Sequence, residues 1–81
     1  MTAEFSSNSD GISVDQRIER AVSSFQRHEY SDALEDLKEV LEQRPKFPDV
    51  WNKAGLCLAM LGELDEALEH LDRAVDIDPD Y

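Results

Sequence analysis

The stretch WNKAGLCLAMLGELDEALEHLDRAVDIDP, from Trp51 to Pro79, decides the fold of this 81-residue chain. Apolar residues recur in it every three or four positions on both sides of Gly62, which is the spacing of two amphipathic helices joined by a short turn. The same pattern stands one unit earlier, so that residues 14–47 and 48–81 align without a gap. The chain therefore consists of two related units after a short leading segment.

Identical residues hold these two units in register. A fixed period of this size is typical of stacked repeats, which present extended surfaces to other chains. The matched pairs are Asp15/Asp49, Glu29/Glu63, Ala33/Ala67, Leu34/Leu68, Glu35/Glu69, Leu37/Leu71 and Pro45/Pro79.

The apolar periodicity predicts an all-α fold of four helices, over about residues 14–27, 31–44, 49–61 and 65–78. Ser13 with Gln16 forms a capping box before the first helix, and we expect Ser31 and Asp65 to cap the second and fourth. Gly62 is expected to adopt a positive φ angle after the third helix. Turns of about three residues make neighbouring helices antiparallel, and residues 1–13 are predicted to be a flexible tail.

Composition excludes several classes of function. The net charge of −11 argues against nucleic-acid binding, which needs a basic surface, and disfavours anionic membranes. Solubility explains the acidity, and a high-salt cytoplasm is the alternative explanation. Cys57 is the one cysteine, which fits a reducing compartment, and we expect a cytoplasmic protein.

Nothing in the sequence indicates catalysis. His28 and His70 have no second ligand at metal spacing, and the scattered glycines form no phosphate-binding loop. We read the carboxylates of the second helix as a solvated surface; they are Glu35, Asp36, Glu39 and Glu42. The sequence thus predicts no enzymatic activity, no cofactor and no metal.

The second unit closely resembles the tetratricopeptide repeat family. Ten of its residues occupy the positions that define that repeat: Trp51, Ala54, Gly55, Leu58, Gly62, Leu64, Ala67, Leu71, Ala74 and Pro79. The first unit resembles it less, with Arg17, Arg20 and Ser24 where the family prefers Trp, Leu and Tyr. The resemblance implies a right-handed α-solenoid of two repeats, each a helix-turn-helix, acting as a non-catalytic scaffold that binds proteins or peptides.

By that resemblance, the first helix of each unit lines a concave groove. The implied groove residues are Asp15, Ile18, Glu19, Val22, Phe25, Asn52, Lys53, Leu56 and Met60. Two interpretations of Val22, Phe25 and Leu56 stay open, because these side chains either bind a partner or only fill the core between helices. One branch of the family holds a peptide carboxylate with Lys and Asn. Ile18 and Val22 stand at those places here, so that clamp is absent.

The two ends of the repeat pair differ. We expect Arg17, Arg20, Ser24 and Arg27 to form a solvated outer cap at the start. At the other end, apolar residues stand where a following helix would pack, and they predict a homodimer through the last helix. The residues of this self-association surface are Leu68, Val75, Ile77 and Tyr81.

The sequence therefore favours an interaction module that binds a peptide or a helix of a partner protein in the groove. Two alternatives remain, a self-associating assembly element and a piece of a longer repeat array.

Overall fold

The computed structural model describes residues 12–80, and within them it contains four helices and no strand. The helices are α1 (Val14–Gln26), α2 (Tyr30–Gln43), α3 (Pro48–Met60) and α4 (Leu64–Ile77). Each packs on the next in chain order, as two helical hairpins side by side do. The all-α repeat fold is confirmed, whereas Tyr81 and most of the predicted tail, residues 1–11, lie outside the described residues.

The first helix starts as its sequence indicates. The Gln16 amide donates to Ser13 Oγ at 3.1 Å, and the Ser13 amide donates to Gln16 Oε1 at 3.0 Å. Each bond satisfies a backbone N–H that has no partner within the helix. The predicted capping box is confirmed.

A left-handed residue stands in the turn of each hairpin. His28 has φ of 64° and Gly62 has φ of 85°, and the prediction for Gly62 is confirmed. This conformation lets the following amide reach back, so that Glu29 donates to the Ser24 carbonyl at 2.8 Å and Glu63 donates to the Leu58 carbonyl at 2.9 Å. The turns thereby close the ends of α1 and α3 and start the next helix.

The predicted caps of α2 and α4 are wrong. Glu29 and Glu63 precede these helices, and neither makes a side-chain capping bond. The helices begin at Tyr30 and Leu64, directly after the tight turns, so Ser31 and Asp65 already lie in the first helical turn. Asp65 is favourably placed there against the positive end of the helix dipole.

The core lies where α2 and α3 meet, with small residues bringing the helices close together. Leu37 and Val40 of α2 are fully buried together with Val50, Ala54 and Cys57 of α3. Burial raises the pKa of the Cys57 thiol, because the thiolate would lose its hydration. Helix α3 is thus enclosed by α2 on one side and α4 on the other, as its nearly all-round apolar sequence indicates.

The predicted solvated arginine cap is wrong for Arg17 and Ser24, whereas Arg20 and Arg27 are exposed. Arg17 and Ser24 are buried, and Arg17 Nη1 donates to Asp36 Oδ1 on α2 at 3.0 Å. Arg20 also donates to Asp36, so this part of the row faces the partner helix of its own hairpin. Asp36 is therefore buried as well, and its assignment to a solvated row of carboxylates is also wrong.

Candidate partner-binding groove

A pocket of about 310 Å³ opens between α1 and α3. Helix α1 supplies most of its wall, α3 supplies the opposite side, and α2 contributes the floor. The lining residues are Ala21, Val22, Phe25, Gln26, Leu37, Lys53 and Leu56. Most of these side chains are apolar, so the pocket suits an apolar group.

The floor of the pocket belongs to the core. Ala21 and Leu37 are almost completely buried, so the bottom of the pocket is part of the rigid packing of α1 against α2. Because a core of this kind is closely packed, the floor limits how the pocket can change shape.

Phe25 is fixed on the wall by an aromatic neighbour. Its ring lies 5.3 Å from the Tyr30 ring in an edge-to-face arrangement of 79°, a favourable geometry for two aromatic rings. Phe25 is only partly buried. Phe25 thus packs on the core and also lines the pocket, and its role in binding stays a prediction.

The α3 side of the pocket carries the exposed apolar group and the charge. Leu56 is 41% exposed, whereas its neighbours Gly55 and Cys57 on α3 are buried. Lys53 is the one charged lining residue and makes no ion pair within residues 12–80. The pocket mouth thus offers an apolar contact beside a cation.

The structure brings four of the predicted groove residues together: Val22, Phe25, Lys53 and Leu56. The other five do not line the pocket. Asp15 and Glu19 are exposed on α1, Ile18 packs on the core, Asn52 is half-buried, and Met60 is 59% exposed. For all nine residues, a role in binding stays a prediction.

Sequence reasoning missed Ala21 and Leu37 as pocket residues. Both belong to apolar stripes that were assigned to the core, and the core assignment is correct. The signal that could have indicated them is the small size of Ala21 beside the predicted groove position of Val22.

The predicted self-association surface is largely exposed. Leu68 is 60% and Val75 is 51% exposed, Ile77 is half-buried, and Tyr81 lies outside the described residues. Pairing of two copies through this surface stays a prediction.

Residues 12–80 contain no group of three or more His, Cys, Asp or Glu side chains placed to hold a metal ion. None of their helices combines the length and apolar character that a membrane crossing requires.

Comparison with known proteins gives a consistent result. A family model described as "Tetratricopeptide repeat" matches residues 18–81. The chain is 36% identical over 63 residues to Anaphase-promoting complex subunit 3 of Dictyostelium discoideum. It is 29% identical over 72 residues to U-box domain-containing protein 70 of Oryza sativa and 24% identical over 68 residues to the Hsp70-Hsp90 organizing protein of Triticum aestivum.

These three matches cover most of this chain and little of each relative. They span 78%, 89% and 84% of this chain, but 6%, 9% and 12% of the respective relatives. The similarity thus concerns the repeat region.

Proposed function

This chain belongs to the tetratricopeptide repeat family, and from that premise we propose that it is a non-catalytic interaction module whose groove between α1 and α3 binds a segment of a partner protein. The observation that carries the proposal is the apolar pocket formed by Val22, Phe25 and Leu56 over a buried floor. A rigid apolar pocket beside polar groups is the usual form of an anchor site in a protein interface.

The partner segment places one large apolar side chain in the pocket. Its volume of about 310 Å³ is at the small end for ligand sites, which fits a single anchor better than an extended ligand. Leu56 loses its exposure to water on binding, and Lys53 pairs with an acidic residue of the segment. Burying an apolar side chain contributes roughly 1.5–3 kcal/mol.

The names of two relatives support a role among proteins. One relative is named as a subunit of a complex and another as an organizing protein. Together with the family, these names favour an adaptor within a protein assembly. The reduced and buried Cys57 fits a cytoplasmic location.

Peptide display followed by affinity measurement tests the groove. Peptides are selected on the whole chain, and their Kd values are then measured for wild type, Leu56→Asp and Leu68→Asp. The two substitutions change leucines that are both well exposed, 41% and 60%, but lie on different helices. We expect Leu56→Asp to weaken binding by about tenfold or more, since it places a carboxylate where an apolar group was buried, and Leu68→Asp to leave it unchanged.

The far-UV circular dichroism of both variants serves as the folding control. If no selected peptide loses affinity on Leu56→Asp, the groove is not the binding site.

A further inference from the structure

The two repeats differ in how much of their second helix is covered. In the first unit Leu41 of α2 is buried and Leu34 is half-buried, because α3 packs over them. The equivalent residues of the second unit, Val75 and Leu68, are 51% and 60% exposed. Leu64, the equivalent of Tyr30, is 63% exposed. Leu64, Leu68 and Val75 therefore form an exposed apolar surface, the α4 face, on which no helix lies within residues 12–80.

The spacing of these residues makes the α4 face continuous. Leu64, Leu68 and Val75 are four and seven residues apart, so they lie on one side of the helix. Leu71, half-buried, completes the stripe between them. Such a stripe is the pattern with which one helix packs against another.

A row of carboxylates follows the edge of the α4 face. Each apolar residue of the stripe is followed directly by an acid, and one residue along a helix is a rotation of about 100°. The four acids are exposed, and none makes an ion pair with a residue of the described region. They are Asp65, Glu69, Asp72 and Asp76.

The end of α4 increases this negative charge. No basic residue lies in its last turn, so the negative end of the helix dipole stands beside Asp76 and Asp78 without a compensating cation in that turn. The equivalent edge of α2 is mixed, with Ser31 and Lys38 in place of Asp65 and Asp72. The acidic edge thus belongs to the uncovered unit alone.

We propose that the α4 face binds a basic amphipathic helix of another protein, with an apolar stripe flanked by Lys or Arg. The apolar residues of the partner helix cover Leu64, Leu68 and Val75 as α3 covers α2, and its cations pair with the acidic edge. Charge complementarity of this kind sets the choice of partner and the rate of association. This proposal uses a different surface from the groove and does not depend on it.

A second copy of the chain fits the α4 face less well. An antiparallel two-fold pair of α4 helices brings the acidic edges of the two copies together, and like charges across an interface disfavour the contact. In a head-to-tail stack, α1 of the second copy would pack on the α4 face in the way that α3 packs on α2. It presents Gln16, Arg20 and Ser23 where α3 presents Val50, Ala54 and Cys57, so polar groups would meet the apolar stripe.

Three synthetic peptides of about 20 residues, long enough to form helices, test the proposal on the whole chain. The first keeps the apolar spacing of Val50, Ala54 and Cys57, carries lysine at the positions that flank this stripe, and has alanine elsewhere to favour the helix. The second carries glutamate in place of lysine, and the third keeps the lysines but has glutamine in the stripe. We expect the first to bind, and the second and third to bind at least about tenfold more weakly, since several exposed charge pairs contribute together.

Substitutions in the protein locate the peptide. Leu68→Gln removes the centre of the stripe without changing the charge, and we expect at least a tenfold loss of affinity for the first peptide. Met60→Gln, at an α3 residue exposed to a similar extent, 59% against 60%, is the matched control and should leave the affinity unchanged. Asp72→Lys with Asp76→Lys should reverse the preference between the first two peptides.

Several outcomes overturn the proposal. Equal binding of the first and third peptides would show attraction by charge alone, and equal binding of the first and second would show that the acids play no part. If the first peptide does not bind, and the chain sediments as a dimer at micromolar concentration but as a monomer with Leu68→Gln, the occupant is a second copy of the chain. No binding by a monomeric chain would also reject it.

Discussion

Asp36 of α2 and His70 of α4 occupy equivalent positions of the two units but close their hairpins by different chemistry. Asp36 accepts hydrogen bonds from Arg20 Nε at 2.9 Å, Arg20 Nη2 at 2.8 Å and Arg17 Nη1 at 3.0 Å. His70 instead lies with its ring 5.1 Å from the Trp51 ring. Trp51 is the equivalent of Arg17, so a buried ion pair in one unit replaces an aromatic contact in the other.

Replacing Asp36 by Asn should destabilise the protein strongly. The substitution removes the negative charge that compensates the buried Arg17 and accepts two hydrogen bonds from Arg20. Losing one partner of a buried ion pair lowers the free energy of unfolding by about 3–5 kcal/mol. We expect a loss of about 3 kcal/mol in the free energy of unfolding, measured by urea titration with far-UV circular dichroism.

The exposed ion pair between Arg27 and Glu29, whose closest approach is 3.1 Å, gives the matched control. Glu29→Gln should change the free energy of unfolding by less than about 1 kcal/mol, because both partners are hydrated. Equal losses for Asp36→Asn and Glu29→Gln would contradict the structural role of Asp36.

The contribution of Asp36 should depend on pH. Hydrogen bonds from Arg20 hold the pKa of the Asp36 carboxyl below its ordinary value of 3.8, with Arg17 acting in the same direction against the opposing effect of burial. The pKa of Asp36 is lower in the folded state than in the unfolded chain. The folded state therefore stabilises the ionised form of this carboxyl more than the unfolded chain does. The stabilisation is therefore complete above about pH 5 and is lost as the pH falls through the folded pKa.

Urea titrations of wild type and Asp36→Asn between about pH 7 and pH 2.5 test this sign. The difference between the two free energies of unfolding cancels the effect of the other carboxylates. We expect it to stay constant above about pH 5 and to narrow below 3.8. A difference that widens on acidification would show that the carboxyl is stabilised in its neutral form.

Exchanging the ion-pair residues for their equivalents should restore stability. The triple variant Arg17→Trp, Arg20→Ala, Asp36→His gives the first unit the residues that stand at Trp51, Ala54 and His70. Buried ion pairs can be replaced by packed apolar groups at little cost, whereas removing one partner is expensive. We expect the triple variant to lie within about 1 kcal/mol of wild type and Arg17→Trp alone to be clearly less stable.

Chemical denaturation of the triple variant and of the single variants Arg17→Trp, Arg20→Ala and Asp36→His separates the contributions. If the losses of the single substitutions simply add in the triple variant, the residues do not act as a unit and this prediction is wrong.

The repeat period made most of the fold predictable. Helical positions follow from apolar spacing, and the capping box at Ser13 and the turn at Gly62 follow from residues whose chemistry suits few other places. The starts of α2 and α4 were missed because Ser31 and Asp65 have capping side chains, while the tight turns after His28 and Gly62 start the helices without them.

The predicted arginine cap shows why side-chain contacts were harder to predict than the helices. Periodicity places Arg17 and Arg20 on one face of α1, but it does not say which neighbour that face meets. Their partner Asp36 stands among other acids of α2, so its charge was taken as solvated. Comparison of Arg17 with Trp51, a core position of the clearer unit, is the signal that would have indicated burial. The pocket depends on Ala21 and Leu37, whose apolar character alone indicates only a core.

Replacing Gly55 by Ala should destabilise the contact between α3 and α4. A Cβ atom at Gly55 would lie 2.8 Å from both Cγ and Cδ2 of Leu71 and 3.2 Å from the Ala67 carbonyl oxygen. Alanine favours a helix over glycine by about 1 kcal/mol, but relieving this overlap requires the leucine and the helix backbone to move, which typically costs about 1–3 kcal/mol. We expect a net loss of about 1 kcal/mol in the free energy of unfolding, together with faster reaction of the buried Cys57 thiol with an alkylating reagent.

Gly62→Ala is the control, since no atom lies within 4 Å of its added Cβ and its cost comes from the positive φ angle alone. The second substitution Leu71→Ala should therefore reduce the effect of Gly55→Ala and leave that of Gly62→Ala unchanged. If Gly55→Ala stabilises the protein, helix propensity outweighs the packing of α3 on α4, and close approach at Gly55 is not what holds these helices together.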